Sequence, residues 1–145
     1  MNNSNNKSFE KELKVKSSTD HLELIRRFTR SCALDYGFNE EIIDKIILAV
    51  DEACTNVIKH AYKFSPEGDI VINIKALNNK FTISITDYGK DFDPSLVPDP
   101  DIKKYYQQHK IGGLGIYLMK KLMDEVNYNS TSKKNQVVLV KYLAN

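Results

Sequence analysis

Apolar and polar residues alternate in several segments of the chain, and this spacing predicts strands with one buried face. The alternation runs from Phe9 to Val15, from Ile70 to Ile74 and from Phe81 to Ile85. Val126 to Thr131 and Val137 to Tyr142 are predicted as a last pair of strands. The sequence therefore predicts five strands.

Three other segments have the three-to-four-residue spacing of amphipathic helices. Residues 17–20 offer N-cap side chains for a first helix that runs to about Tyr36. Asn39 is expected to cap a second helix from about Glu40 to Lys63, which has the strongest periodicity in the chain. A third helix is predicted from the glycines at 112–115 to about Asp124.

The order of these elements predicts an α+β fold. Asn78 and Asn79 favour a hairpin turn between the second and third strands. Residues 90–111 contain three of the four prolines and no sustained periodicity, so we expect a long loop there. Because the helices cluster and most strands are joined by hairpins, we expect a two-layer sandwich. Its sheet should be mixed but mainly antiparallel, with the helices on one face.

Composition adds that the chain is one domain. Its 145 residues are 41% hydrophobic and 28% charged, which is enough apolar material for a single core. We expect this domain to span residues 8–145 and the polar residues 1–7 to form a disordered tail. Cys32 and Cys54 have apolar neighbours and are expected to be buried, reduced thiols.

Charge and hydropathy exclude two classes of partner. The longest apolar stretch, Ile42 to Val50, is interrupted by charges and is far shorter than the roughly 20 residues that span a bilayer. The polar N-terminus does not resemble a secretory signal, so we expect a cytoplasmic protein without a membrane partner. The net charge of +2 is spread along the chain, which argues against direct binding to nucleic acid.

The second helix carries the first set of candidate functional residues. Glu52 and Asn56 are four residues apart and therefore point the same way, and His60 follows one turn later. Amide and carboxylate oxygens suit Mg²⁺ bound mainly through phosphates, and a carboxylate can also accept a hydroxyl proton. An ordinary solvated helix face would show the same pattern.

Two further motifs lie at element ends. Asp87 and Gly89 end a predicted strand, where a carboxylate can accept a hydrogen bond from an exocyclic amine and glycine permits close approach. The segment Gly112, Gly113, Leu114 and Gly115 opens a helix, whose free N–H groups favour phosphate. A plain turn at Asp87 and a flexible hinge at the glycines remain the simpler explanations.

Together these motifs resemble those of the RsbW-like anti-sigma serine kinases, which are ATP-binding domains of the GHKL type. Residues 51–62, DEACTNVIKHAY, resemble the N-box of that family. Asp87 to Phe92 resembles its second ATP motif, and Gly112 to Val126 resembles its third. The resemblance extends from about Phe9 to Leu143 and implies a Bergerat-type fold with residues 90–111 as the ATP lid.

The resemblance also implies a role for each motif residue. Glu52 would be the general base toward a serine hydroxyl, and Asn56 would hold Mg²⁺. Asp87 would bind the adenine amine, and Gly89 would let the purine approach. Gly113 and Gly115 would contribute backbone N–H groups to the phosphates. Gly112, Leu114 and His60 also belong to the ATP-binding set, and the role of His60 remains open.

Partners follow from the resemblance as well. It implies binding of a sigma factor, phosphorylation of an antagonist protein that opposes this binding, and a homodimer. Arg26, Arg27 and Arg30 on the first helix would then contact acidic partner surfaces, although a solvated basic face is the simpler explanation. A sensor histidine kinase fragment fits less well, because 145 residues leave no room for a dimerisation helix pair.

Two departures from the family pattern favour a nucleotide-regulated module that sequesters its partner without phosphorylating anything. Asp91 stands where the family commonly has the second glycine of D-x-G-x-G. Asn135 and Gln136 stand where Gly-Thr usually precedes the last strand. A threonine contact to adenine is therefore replaced or missing.

Overall fold

The structure, a computed structural model, describes residues 8–89, 114–131 and 133–144. The predicted tail at residues 1–7 and the predicted loop at residues 90–111 lie outside the described residues. Gly112 and Gly113 also lie outside them, as does Asp91. For Leu114 and Gly115, only the helical backbone is described.

The predicted order of strands and helices is confirmed over the described residues. The strands are β1 (Phe9–Lys16), β2 (Asp69–Leu77), β3 (Lys80–Asp87), β4 (Glu125–Ser130) and β5 (Asn135–Tyr142). The α-helices are α1 (Leu22–Tyr36), α2 (Glu40–Asn56) and α3 (Leu114–Leu122). In these ranges, no helix is both long and apolar enough to cross a membrane.

The strands form one sheet in the order β1-β2-β3-β5-β4. Each of the four described pairings is antiparallel, which confirms the expectation of a mainly antiparallel sheet. The residues on one face are almost completely buried, above all the isoleucines of β2 and β3. Because α1 and α2 contribute their own buried apolar faces, the helices and the sheet form the two predicted layers.

An aromatic cluster closes one end of the core. The ring of Tyr36 packs against Phe9, Phe38 and Phe81 at centroid distances of 6.0 to 6.1 Å. Its buried hydroxyl has no hydrogen-bond partner among the described residues. A buried hydroxyl without a partner costs free energy, so Tyr36 stabilises the fold through its ring and weakens it through its oxygen.

Removing a tyrosine hydroxyl is expected to have opposite effects at two positions. Tyr36→Phe should leave the free energy of unfolding unchanged or raise it by about 1 kcal/mol, because a buried group without a partner is lost. Tyr62 donates to the Asp69 carbonyl at 2.6 Å and accepts from the Tyr88 N–H at 2.8 Å. Tyr62→Phe should therefore lower the free energy of unfolding by about 1–3 kcal/mol. Urea unfolding of both variants checks the sign, and equal losses would contradict this account.

The second helix begins as predicted but ends differently. Asn39 accepts from a backbone N–H group and caps α2. Ser18, one of the predicted N-cap residues, caps a 3-10 helix (Thr19–His21) that leads into α1, and α1 itself has no side-chain cap. The predicted continuous α-helix to Lys63 is wrong, because α2 stops at Asn56 and residues Val57–Ala61 wind as a π-helix. Tertiary contacts accompany the change, since the carbonyl of Ala61 lies against Gly89. No proline or glycine marks the position in the sequence.

Candidate functional site

A cavity opens between the helical layer and the ends of β3, β4 and β5. The C-terminal turns of α2 and the following π-helix form one wall, and Met119 of α3 forms part of another. The lining residues include two from the predicted site, Asn56 and Asp87, together with Ala53, Val57, Ala61, Tyr128, Asn129, Ser130, Asn135, Gln136 and Val137.

Asn56 is the clearest sign that a polar ligand belongs in this cavity. Its side-chain nitrogen Nδ2 is buried and has no hydrogen-bond partner within the described part of the chain. A buried amide without a partner is costly, and its position on the cavity wall lets a bound group supply the missing acceptor. A ligand with acceptor atoms, such as phosphate oxygens, would satisfy it.

Glu52 lies on α2 one turn before Asn56, on the same side of the helix. The carboxylate is half-buried, and this burial together with the neighbouring Asp51 raises the pKa of Glu52, while Lys59 opposes the rise. A raised pKa makes a carboxylate a stronger base, which suits proton abstraction near neutral pH. Glu52 does not line the cavity itself.

Asp51, beside Glu52, is held by an arginine from the first helix. Arg26 donates from Nε and Nη2 to the two carboxylate oxygens of Asp51, at 2.9 and 3.2 Å. This two-point geometry is the strong form of an arginine–carboxylate pair. The pair places the positive charge of Arg26 next to Asp51, whose negative charge contributes to the raised pKa of Glu52.

Asp87 is buried at the end of β3, with 4% of its surface exposed. Its oxygen Oδ1 accepts from the Gly89 N–H at 3.0 Å and from the side-chain amide of Asn135 at 2.9 Å. Both donors bind the same oxygen, so the rotation of the carboxylate is fixed. Asp87 therefore presents a defined hydrogen-bond acceptor to the cavity.

Gly89 follows Asp87 and packs against the π-helix. A Cβ atom at this position would lie 2.4 Å from the carbonyl oxygen of Ala61, a distance that no real contact shows. Glycine is thus required here because the backbone at Ala61 leaves no room for a side chain. The reason predicted from the sequence is different, namely that Gly89 lets a purine approach.

Gly89→Ala is expected to destabilise the protein by about 1–3 kcal/mol, because neither backbone can yield without moving the π-helix or the end of β3. It should also weaken ligand binding, since Asn56 and Asp87 sit on the two segments forced apart. Thermal unfolding and ligand titration of the variant check both effects. Gly37→Ala is the matched control, because a Cβ atom there meets no neighbour and the only strain comes from the positive φ of 105°. If Gly89→Ala binds the ligand with the affinity of the parent, the prediction is contradicted.

His60 lies in the π-helix and is exposed. Partial desolvation and the neighbouring Lys59 lower the pKa of His60, so its ring is neutral near pH 7. Like Glu52, it is not among the residues that line the cavity.

The three predicted partner-binding arginines differ in their surroundings. Arg26 pairs with Asp51, and Arg30 donates to Glu40 at 2.6 Å and to Asp44 at 3.1 Å. Arg27 is the most exposed, with 75% of its side chain accessible against 39% for Arg26 and 41% for Arg30. An acidic partner would therefore have to compete with residues of α2 for two of the three.

The described residues supply at most part of the coordination shell of a magnesium ion. Among the described residues, no three His, Cys, Asp or Glu side chains form a group that could hold a metal ion. Mg²⁺ commonly keeps its waters and binds through one or two side chains plus substrate phosphates. The side-chain oxygen of Asn56 fits that kind of site.

Comparison with known proteins identifies the class to which this fold and cavity belong. Residues 15–141 match the model of the histidine kinase-like ATPase domain. The chain belongs to this family of histidine kinase-like ATPase domains. The match includes all candidate site residues on the second helix and at the end of β3.

Several relatives within the family are named serine-protein kinase RsbW. The Bacillus subtilis (strain 168) protein is 33% identical over 137 residues, covering 91% of this chain and 84% of the relative. The Bacillus cereus (strain AH820) protein is 35% identical over 123 residues, or 81% and 76% of the two chains. A solved structure of the RsbU and RsbW domains of a Mycobacterium tuberculosis protein contains the same fold. The TM-score is 0.68 at 16% identity, over 94% of this chain and 33% of that one.

The structure brings together only part of the predicted site. Asn56 and Asp87 meet in one cavity, whereas Glu52, His60 and Gly89 lie beside it. The predicted phosphate-binding glycines Gly112 and Gly113 are outside the described residues. Sequence reasoning did not include Asn135 and Ser130 among the site residues, because only the pairing of β3, β5 and β4 places them next to Asp87.

Proposed function

We propose that this chain is an ATP-dependent serine-protein kinase and anti-sigma factor. In this proposal, it binds a sigma factor and phosphorylates a serine of an antagonist protein. The observation that carries the proposal is the meeting of Asn56 and Asp87 in one cavity, with the amide nitrogen of Asn56 buried and unsatisfied within the described part of the chain. Relatives named serine-protein kinase RsbW support the activity. Residues 8–145 form its one ATP-binding domain, which acts in the cytoplasm.

Each site residue has a defined task in this proposal. Asp87 accepts a hydrogen bond from the 6-amino group of adenine, and Asn56 holds Mg²⁺ through its side-chain oxygen. Gly113 and Gly115 offer backbone N–H groups to the phosphates, and Gly112 and Leu114 belong to the same ATP-binding segment. Gly89 keeps the backbone beside Asp87 in place, and His60 remains a candidate for ATP contact without an assigned role.

Glu52 is the proposed general base. When bound, ATP supplies the γ-phosphoryl group, and phosphoryl transfer depends mainly on positioning and on neutralising charge. Glu52 would accept the proton of the incoming serine hydroxyl while the serine oxygen forms its bond to the γ-phosphorus. The bond from this phosphorus to the bridging oxygen of ATP breaks in the same step, and ADP leaves. The raised pKa of Glu52 suits this task, because the carboxylate takes up a proton more readily.

The pH dependence of transfer should respond in opposite directions to two neighbouring substitutions. Glu52 must be ionised to accept a proton, so the rate should fall as the pH drops through its raised pKa. Asp51→Asn removes a charge that raises this pKa, and should move the acid limb of the profile to lower pH. Arg26→Gln removes the counter-charge of Asp51 and should move the limb to higher pH. Both variants keep Lys59. If the acid limb moves in the same direction in the two variants, the assignment of Glu52 as the general base is contradicted.

The partner surface is proposed on α1, with Arg26, Arg27 and Arg30 as contacts for acidic groups of a sigma factor or antagonist. The exposure of Arg27 supports its inclusion. We also propose that the chain is a homodimer, which sedimentation equilibrium would test directly. A monomer at concentrations well above those needed for sigma binding would remove the dimer from the proposal.

Asn135 and Gln136, which stand in place of the family's Gly-Thr, give no support to a non-catalytic sequestering module. Asn135 makes a polar contact of its own, because its side-chain amide donates to Asp87 at 2.9 Å. Gln136 bonds on the other face of the sheet, where its side-chain nitrogen donates to Thr86 at 3.0 Å. The polar contact beside Asp87 is therefore made by Asn135 alone of these two residues.

Partner switching provides the test of the proposed function. The purified chain is mixed with its sigma factor and its antagonist, with and without Mg²⁺ and ATP. We expect a complex with the sigma factor, phosphate on a serine of the antagonist only when both Mg²⁺ and ATP are present, and release of the phosphorylated antagonist. Sigma binding without any transfer would favour the sequestering module, and neither binding nor transfer would overturn the proposal.

A further inference from the structure

Three polar side chains lie in one row across neighbouring strands at the edge of the cavity. Asp87 of β3 is paired in register with Asn135 of β5, and Asn135 is paired with Ser130 of β4. Directly opposed residues point to the same face of a sheet. On the other side of Asp87 the row continues with Ile70 and Val15, both buried in the core. The row thus changes from apolar to polar where the cavity opens.

The three side chains form a continuous hydrogen-bond relay. The hydroxyl of Ser130 donates to Oδ1 of Asn135 at 2.6 Å, and Nδ2 of Asn135 donates to Oδ1 of Asp87 at 2.9 Å. Nδ2 also approaches the Gly89 carbonyl at 3.4 Å. The direction of the relay follows from chemistry, because a carboxylate only accepts, so the amide must turn its nitrogen toward Asp87.

The relay restricts what Asp87 can do. Only 4% of Asp87 and 7% of Asn135 are exposed, so water has little access to their contact. One oxygen of the carboxylate accepts from both Asn135 and the backbone of Gly89. Its plane and its direction toward the cavity are therefore fixed before any ligand arrives, and a fixed acceptor discriminates better than a mobile one.

We propose that Asn135, oriented by Ser130, is the positioning residue that makes the cavity specific for purines with a 6-amino group. This inference rests on the proposed nucleotide-binding function and assigns the base specificity of that site. Asn135 acts through Asp87, and Asp87 makes the contact with the base. A purine without the 6-amino group offers no donor to the fixed carboxylate, so it forms one hydrogen bond fewer in the cavity.

The test compares two nucleotides that differ in this one group. Equilibrium titrations measure the dissociation constants of ATP and of the triphosphate of unsubstituted purine riboside, with Mg²⁺, for parent and variants. The parent should bind ATP about tenfold or more tightly than the purine analogue. Asn135→Leu, which has a similar size and no hydrogen bonds, should reduce this ratio to less than about threefold through a loss of ATP affinity. Its affinity for the purine analogue should stay near that of the parent.

A merely structural role for Asn135 would weaken both nucleotides equally and keep the parental ratio, which would overturn the proposal. Ser130→Ala should lower the ratio of ATP affinity to purine-analogue affinity by about threefold. This variant decides the test if Asn135→Leu does not fold. In that case, a ratio equal to that of the parent would overturn the proposal. Ser84→Ala is the matched control, since Ser84 is a strand serine outside the relay.

The parent alone separates this inference from the proposed function. A parent that binds neither nucleotide overturns the proposed ATP site. A parent that binds both nucleotides equally leaves the ATP site standing and overturns the base specificity assigned to Asn135.

Discussion

Glu52→Gln is expected to slow phosphoryl transfer to the antagonist about 10²- to 10⁴-fold, because the amide cannot accept the serine proton. ATP affinity should remain close to that of the parent, since Glu52 does not line the cavity. The two effects are measured separately, by single-turnover transfer and by equilibrium titration with ATP.

A glutamate at the other end of the same helix provides the control. Glu41 is exposed in the first turn of α2, so Glu41→Gln removes an equal charge far from the cavity. It should transfer phosphate at the parental rate. Equal rates for Glu52→Gln and the parent would show that another group, or none, accepts the proton.

Asp87→Asn is expected to weaken ATP binding by about 10- to 100-fold, the second-largest effect. The substitution exchanges a buried acceptor for an amide that must face two donors, the Gly89 N–H and the side-chain nitrogen of Asn135. To accept from both donors, the new amide must place its oxygen where Oδ1 of Asp87 lies. Its NH₂ group then faces the position of the adenine amine. Because both of these groups are hydrogen-bond donors, the contact with adenine is lost.

Asp69→Asn is the control for this substitution. Asp69 begins β2 on the protein surface, where Lys16 holds the pKa of Asp69 below its usual value through a hydrogen bond. Losing that exposed ion pair should leave ATP affinity unchanged. ATP affinity within about threefold of the parent for Asp87→Asn, in a folded protein, would contradict the role of Asp87.

Periodicity was sufficient to predict the layers of this fold, because burial determines periodicity. Ile70, Ile72 and Ile74 alternate with more polar residues and are fully buried on the inner face of β2. The N-cap side chains of Ser18 and Asn39 were also visible, since capping depends on residues adjacent in sequence. Local signals of this kind need no knowledge of the tertiary structure.

The π-helix at Val57–Ala61 could not be predicted in the same way. Its residues continue the apolar pattern of α2, and a single extra residue per turn leaves that pattern almost unchanged over five residues. The features that accompany it are distant in sequence: the approach of Gly89 to the Ala61 carbonyl and the bonds of Tyr62 to residues 69 and 88. Tertiary contacts of this kind are invisible in a local window.

The same limit applies to the site. Asn56 and Asp87 were predictable because each has a motif of its own, whereas Asn135 was visible only as a departure from a family pattern. Its contact with Asp87 depends on the antiparallel register of β3 and β5, which brings together residues 48 positions apart. Ser130 has no motif at all and enters the site only through its pairing with Asn135.

The most direct test of the central claim is a single-turnover transfer experiment with the parent and Glu52→Gln. Each protein is loaded with ATP and Mg²⁺ and mixed with the antagonist, and phosphoserine is followed by mass spectrometry. The account predicts rapid phosphorylation of one serine by the parent and a rate lower by about 10² or more for the variant at equal ATP occupancy. A parent that binds ATP but leaves the antagonist unphosphorylated, or a variant that matches the parent, would contradict it.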